Sequence, residues 1–160
     1  MKRSPNPLLP VLLRRATLVA CGVLLLAAWP RALPAQEASA EEAVRRVADG
    51  LHEALASGDS ARVLELLADG VRVYESGHAE TRDEYRAGHL GIDIEFAGGT
   101  EREVLSERVR TSGDMALYLA EYRTTGTFRG EETDGRGTET LVMERRGEGW
   151  RIVHIHWSSR

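Results

Sequence analysis

The 160-residue chain predicts an α+β fold, with helices first and sheet last. Two observations carry that expectation. Apolar residues recur at helical spacing from Ser39 to about His89, and from about Thr100 the period shortens to two, the spacing of half-buried strands. A third observation sets the limits of the domain. All five Pro, the only Lys (Lys2) and the only Cys (Cys21) lie within the first 35 residues, whereas 15 of the 16 Gly lie beyond them.

Those first residues read as an export signal. Met1–Arg15 carries Lys2, Arg3, Arg14 and Arg15, Ala16–Trp29 is a 14-residue apolar run, and Pro30–Gln36 is small and helix-breaking. Basic, apolar, then small is the layout of a secretory signal peptide. A spanning helix needs about 20 apolar residues, so this run is short for a permanent anchor. Residues 1–35 are expected to be cut off after Ala35, leaving 36–160 as one secreted or periplasmic domain with no stable membrane anchor. Leu18–Cys21 also resembles a lipoprotein signal and Arg14-Arg15 a twin-arginine signal, two alternatives to export by the general route.

In the domain itself, Ser39-Ala40-Glu41-Glu42 has the form of a capping box. Val44, Val47, Ala48, Leu51 and Leu55 follow as one apolar stripe, and Gly58 ends that helix. Asp59 or Ser60 caps a short second helix carrying Val63, Leu66 and Leu67, which Gly70 ends. Val71–Ser76 is a strand, Gly77 turns, and Thr81–Glu84 is a second capping box. It opens a third helix with Tyr85 and His89 at i, i+4, and a loop from Gly91 to Gly99 follows. Strands are expected over Thr100–Thr111, Met115–Thr124, Thr138–Arg146 and Trp150–Ser158. Ser112-Gly113-Asp114, a Gly-rich connection from Gly126 to Gly137, and Gly147-Glu148-Gly149 join them.

Composition removes several chemistries. Beyond residue 35 there are 16 Arg against 25 Asp and Glu, and neither Cys nor Lys. Disulfides, a Cys-ligated zinc site, a thiol nucleophile and a lysine Schiff base are excluded there. The acidic balance argues against nucleic acid as a partner, because phosphate binding needs a basic surface.

The paired N-terminal helices, Ser57-Gly58-Asp59 and the closing hairpin RRGEGWRIVHIHWSSR resemble the SnoaL-like group of the nuclear transport factor 2-like (ketosteroid isomerase-like) superfamily. Gly149, Trp150, Val153, His154, His156 and Ser158 are also similar to the ending of the calcium/calmodulin-dependent protein kinase association domain. The resemblance covers roughly Glu41–Arg160. It implies a cone, a curved antiparallel sheet wrapped around the N-terminal helices with an open pocket, and a homodimer through the sheet. Tyr122 and Leu141 stand where the association domain's pocket arginines are expected, so its anion pocket does not carry over. The fold hosts both enzymes and non-catalytic assembly modules.

Alternation then assigns candidates. One parity collects Met115, Leu117, Leu119, Leu141, Met143, Val153, Ile155 and Trp157 and is expected to form the concave face, interrupted by Glu121, Arg123 and Glu139. Desolvation there would raise Glu121 or Glu139 toward neutrality and make either a usable acid or base. The opposite parity holds Tyr118, Tyr122, His154 and His156, a set expected at a dimer interface or at an alternative site. The densest polar cluster is Tyr74, Glu75, His78, Glu80, Tyr85, His89 and Asp93. It offers His78 for proton transfer, Tyr74 as a hydrogen-bond donor, and Glu75, His89 and Asp93 with Trp157 for ligand binding. Its spacing matches no established metal motif, and no metal or cofactor is assigned. His52 beside the first apolar stripe reads as a packed histidine.

Two functions are compatible with these residues. One is an acid–base enzyme of isomerase, dehydratase or cyclase type acting on a small organic molecule. The other is a non-catalytic homodimeric module that binds a ligand or mediates association, with metal binding a variant of it.

Overall fold

The computed structural model describes residues 33–159, with side chains from Ala38 onward. The expected export segment lies outside the described residues up to position 32. Helix α1 (Leu33–Ser57) is followed by α2 (Ser60–Leu66), β1 (Leu67–Glu75), β2 (His78–Thr81), α3 (Arg82–Ala87), α4 (His89–Gly99), β3 (Thr100–Ser112), β4 (Met115–Phe128), β5 (Glu131–Arg146) and β6 (Gly149–Ser159). The α+β expectation holds. The six strands form one curved, unclosed sheet in the order β2-β1-β6-β5-β4-β3. Every neighbouring pair is antiparallel except β1 and β6, which run parallel, so the sheet is mixed rather than wholly antiparallel.

Several local signals translate directly. In α1 the predicted stripe of Val44, Ala48, Leu51 and Leu55 is buried against the sheet. Each such side chain contributes on the order of 1.5–3 kcal/mol on burial. Asp59 caps α2 by accepting from the Arg62 backbone N–H. Thr81 and Glu84 form a reciprocal capping box at the start of α3.

Others are overridden. Helix α1 begins six residues before the proposed Ser39 cap and runs through it. Pro34 fits there because a first helical turn needs no N–H from that position. The expected third helix divides at Gly88, so Tyr85 and His89 belong to different helices. The expected loop from Gly91 to Gly99 is helix α4, because Leu90, Ile94 and Ala97 form an apolar face that packs on the core. The Gly-rich stretch from Gly126 to Gly137 is the strand ends of β4 and β5, turning at Arg129 and Gly130. A Cβ on Gly126, whose φ is +142°, would lie 2.5 Å from the Gly99 carbonyl oxygen, so the sheet passes very close to the end of α4 there.

The face assignment is correct for β5 and reversed for β4. Ala116 pairs with Met143, Tyr118 with Leu141 and Ala120 with Glu139. All six are buried, and α1 lies over this side of the sheet. Small Ala116 and Ala120 allow the helix to approach closely. Met115, Leu117, Leu119, Glu121 and Arg123 therefore point to the outer face, where Arg123 pairs with Asp134 at 2.7 Å. In β6 the register shifts opposite Val142 and Met143, which places Val153 in a bulge between inward-facing Ile152 and Ile155. Val153 is half-buried rather than a core residue.

Candidate functional site

The inner face of the sheet and helices α1 and α4 enclose a cavity of about 140 Å³. His52, Leu55 and Ala56 come from α1, Asp93, Phe96 and Ala97 from α4, and Glu75 from β1. Thr100 and Arg102 (β3), Tyr122 and Thr124 (β4) and Trp157 (β6) complete the wall. An adjoining cavity of about 310 Å³ shares Glu75, Asp93, Phe96, Tyr122 and Thr124 and adds Phe128 and Arg136.

Behind the lining residues His52, Arg102 and Trp157 lies Glu139, only 2% exposed. Its Oε1 accepts from the Trp157 indole N–H at 2.7 Å and from His52 Nε2 at 2.9 Å. Its Oε2 accepts from Arg102 Nη2 at 3.0 Å. Burial alone would raise this carboxyl, but His52, Arg102 and Trp157 together outweigh burial and hold it below the usual glutamate range. The expected upward shift at Glu139 is thus reversed: it is a fixed anion that orients three cavity side chains. The Arg102 guanidinium also lies over the Tyr122 ring, 4.6 Å from its centroid.

Glu75 is the opposite case. It stands beside Trp157 on the inner face, because Trp157 pairs with Glu75 on one side and Glu139 on the other. No side chain among the described residues donates a hydrogen bond to Glu75. Burial, with the nearby Asp93 charge adding to it, raises its carboxyl to about 7. Asp93 is also raised, chiefly by burial, although its Oδ2 accepts from the Tyr85 hydroxyl at 2.7 Å. Tyr85 is fully buried, and desolvation beside Asp93 pushes its phenol far up, so it stays a neutral donor. Burial and the Glu139 charge raise the Tyr122 phenol to about 12.

The cavity thus brings together Glu75, Asp93, Trp157 and, through its partners, Glu139. Glu121 is not among them: it is exposed on the outer face, the consequence of the reversed β4 parity. Tyr74 alternates with Glu75 and also points outward, 39% exposed, its ring 5.1 Å from that of His154. His78 sits exposed on edge strand β2, its ring 5.8 Å from that of His89. His89 Nδ1 is 2.6 Å from Glu80 Oε2, and that hydrogen bond raises the imidazole. Neither histidine lines the cavity. Tyr118 and Tyr122, expected on the convex side, are inward-facing for the same reason that Glu121 is not. His154 and His156 do lie on the outer face, and burial followed by the proximity of His156 lowers His154. Among the described residues no group of three or more His, Cys, Asp or Glu is placed to hold a metal ion.

Arg102 escaped the sequence reading, whereas His52 is the packed, hydrogen-bonded histidine expected, with Glu139 as its partner. His52 follows Leu51 of the α1 stripe, and Arg102 shares its strand face with Val109 once the bulge at Leu105 is counted. Only the sheet register reveals that both reach Glu139.

Comparison with known proteins agrees with this architecture. Residues 44–160 match the family model of the SnoaL-like domain. The chain belongs to the SnoaL-like domain family. A solved structure of a provisionally named ketosteroid isomerase from Shewanella frigidimarina is 31% identical. The match covers 71% of this chain and 92% of that one, with a TM-score of 0.68. A provisionally named dehydratase of the nuclear transport factor 2-like family from Streptomyces avermitilis gives a TM-score of 0.68 at 20% identity, covering 77% of this chain and 97% of that one. The association domain of Caenorhabditis elegans calcium/calmodulin-dependent protein kinase II gives 0.64 at 21% identity over 77% and 98% of the two chains. At these lower identities the likeness concerns the fold alone. Among curated protein sequences none matches this chain.

Proposed function

We propose that this SnoaL-like domain is an acid–base catalyst of isomerase or dehydratase type, acting on a small organic molecule held in the cavity between α1, α4 and the sheet. The observation that carries the reading is Glu75: a half-buried carboxyl with no hydrogen-bond donor, on the cavity wall, raised to about 7. A group that titrates near the working pH is available both to accept and to return a proton. Glu139, on the other side of Trp157 in the strand register, stays ionised. Two carboxyls with acidities driven apart by their surroundings give one proton-transfer group and one fixed charge. Glu139 in turn fixes His52 and Arg102 as donors at the inner end, while the neutral Tyr122 hydroxyl is available to a ligand oxygen. Trp157 and Phe96 supply flat apolar walls. The domain is read as working outside the cytoplasm, on the strength of the basic, apolar and small segments of residues 1–35.

The test combines an NMR titration of the Glu75 carboxyl with solvent-deuterium exchange into the α-hydrogens of a panel of small ketones. A midpoint near 7 and exchange that Glu75→Gln abolishes are expected. A midpoint in the ordinary glutamate range, about 4.3, overturns the assignment.

A second reading, a homo-oligomeric ligand-binding or association module, is favoured by one observation. The outer sheet face carries half-exposed Leu117, Leu119 and Val142 beside exposed Met115 and Tyr74. The two readings share the cavity and differ in whether Glu75 moves a proton.

A further inference from the structure

The cavity has a charge and a surface that favour one class of ligand. Arg102, the arginine of its wall, is already committed: Glu139 accepts from it at 3.0 Å and the Tyr122 ring lies over its face, while Arg136 stands in the adjoining cavity beyond. Glu75 and Asp93 are not neutralised in the same way. Asp93 accepts only from Tyr85, a neutral donor, and Glu75 from no side chain among the described residues. Of the imidazoles near them, His52 of the cavity wall is bonded to Glu139, and His89, which lines no part of the cavity, is bonded to Glu80. Two half-buried carboxyls therefore face one small cavity with no cation hydrogen-bonded to either among the described residues.

The walls around them are aromatic. Trp157, Tyr122 and Phe96 line the cavity, and Phe128 meets Phe96 edge-on at 5.3 Å in the adjoining cavity. An aromatic face carries negative charge density and attracts cations, more strongly when water is excluded. An anionic ligand would face Glu75 and Asp93 with an arginine already committed to Glu139. A neutral ligand would leave two carboxyls desolvated and without a cationic partner. A cation removes both penalties together.

We infer that the cavity selects a small organic cation, an ammonium group on a single ring or short apolar body, with the nitrogen between Glu75 and Asp93 and the apolar part against Trp157 and Phe96. This rests on the cavity being the ligand site, and it names the substrate class for the proposed reaction. A cavity of about 140 Å³ accommodates one ring with a short arm.

The probes are benzylammonium, benzyl alcohol and benzoate, which share one shape and differ in charge. Calorimetry is run at about pH 8, where Glu75 is largely ionised and benzylamine still carries its proton. Benzylammonium is expected to bind about tenfold more tightly than the other two, with a shift of the Trp157 indole N–H resonance that places it in the cavity. Glu75→Gln and, separately, Asp93→Asn should erase most of that preference, read as the ratio of benzylammonium to benzyl alcohol affinity in each variant. Asp93→Asn keeps an acceptor for Tyr85, so one variant remains informative if the other folds poorly. Equal or tighter binding of benzoate or benzyl alcohol overturns the cation preference and leaves the cavity as the site. Failure of all three to bind and to move Trp157 overturns both.

Discussion

Glu75 and Glu139 flank the same tryptophan on adjacent strands, yet their surroundings drive them in opposite directions. Glu139 has three donors and is held low, whereas Glu75 has none and is raised to about 7. Their effects on folding have opposite signs. The folded state binds a proton at Glu75 more tightly than the unfolded chain does, so the stability from that proton is complete below about pH 4.5 and is lost as pH rises through about 7. Glu139 contributes stability above the ordinary glutamate range, and this is lost as pH falls through its depressed folded value. Glu75→Gln is therefore expected to stabilise the protein at about pH 8 by roughly 1–2 kcal/mol, allowing for its partial exposure, with the gain fading toward pH 4. Urea denaturation at the two pH values measures this directly, and a variant less stable than the parent at pH 8 contradicts it. The sequence placed Glu139 and Trp157 on the concave face correctly and marked Glu75 and Asp93 as polar candidates. It could not say which carboxyl would be satisfied, because the donors come from α1 and β3, far away in the chain.

At the scale of elements, the β4–β5 ladder is where sequence pattern and structure diverge most. Strand β4 alternates Met115, Leu117 and Leu119 with Ala116, Tyr118 and Ala120, and the bulkier, more apolar set looks like the core. Packing selects the other set, because α1 needs small residues beneath it and the Tyr118 hydroxyl finds a partner there. Tyr118 reaches Glu107 at 3.4 Å. Further along the same ladder, Tyr122 pairs with Gly137, where a Cβ would stand 2.4 Å from the phenol ring. The glycine thus lets the ring lie flat on β5, with Arg102 over its other side. Gly137→Ala should push the ring off β5 and cost about 1–3 kcal/mol as an overpacked contact. Against a Tyr122→Ala background the same substitution should cost much less. A double-mutant cycle by chemical denaturation measures the coupling, expected at about 1 kcal/mol or more. Additive effects would mean that the ring does not need the glycine.

At the scale of the whole molecule, the reversed parity of β4 has a second consequence. With Ala and Tyr turned inward, Met115, Leu117 and Leu119 lie on the outer face beside Val142, Tyr74 and His154, none of them buried in the single chain. The side of the sheet away from α1 is thus apolar in its middle, although no helix among the described residues covers it. The sequence was hard to read here for that very reason: a strand apolar on both faces gives no alternation to separate inside from outside. An apolar sheet face of this kind is stabilised when a second copy covers it. The protein is expected to sediment and scatter light as a homo-oligomer, most simply a dimer with sheets face to face. Leu117→Arg, in the middle of that face, places a charge where the partner would sit and should shift the population to monomer. The cavity lies on the opposite side of the sheet, so benzylammonium binding should be unchanged in that variant. A parent protein that is monomeric at micromolar concentration, or a Leu117→Arg variant that still self-associates, would show that this face is not the interface. Loss of ligand binding on dissociation would instead mean that the cavity depends on the sheet being clamped from outside, and would couple association to function.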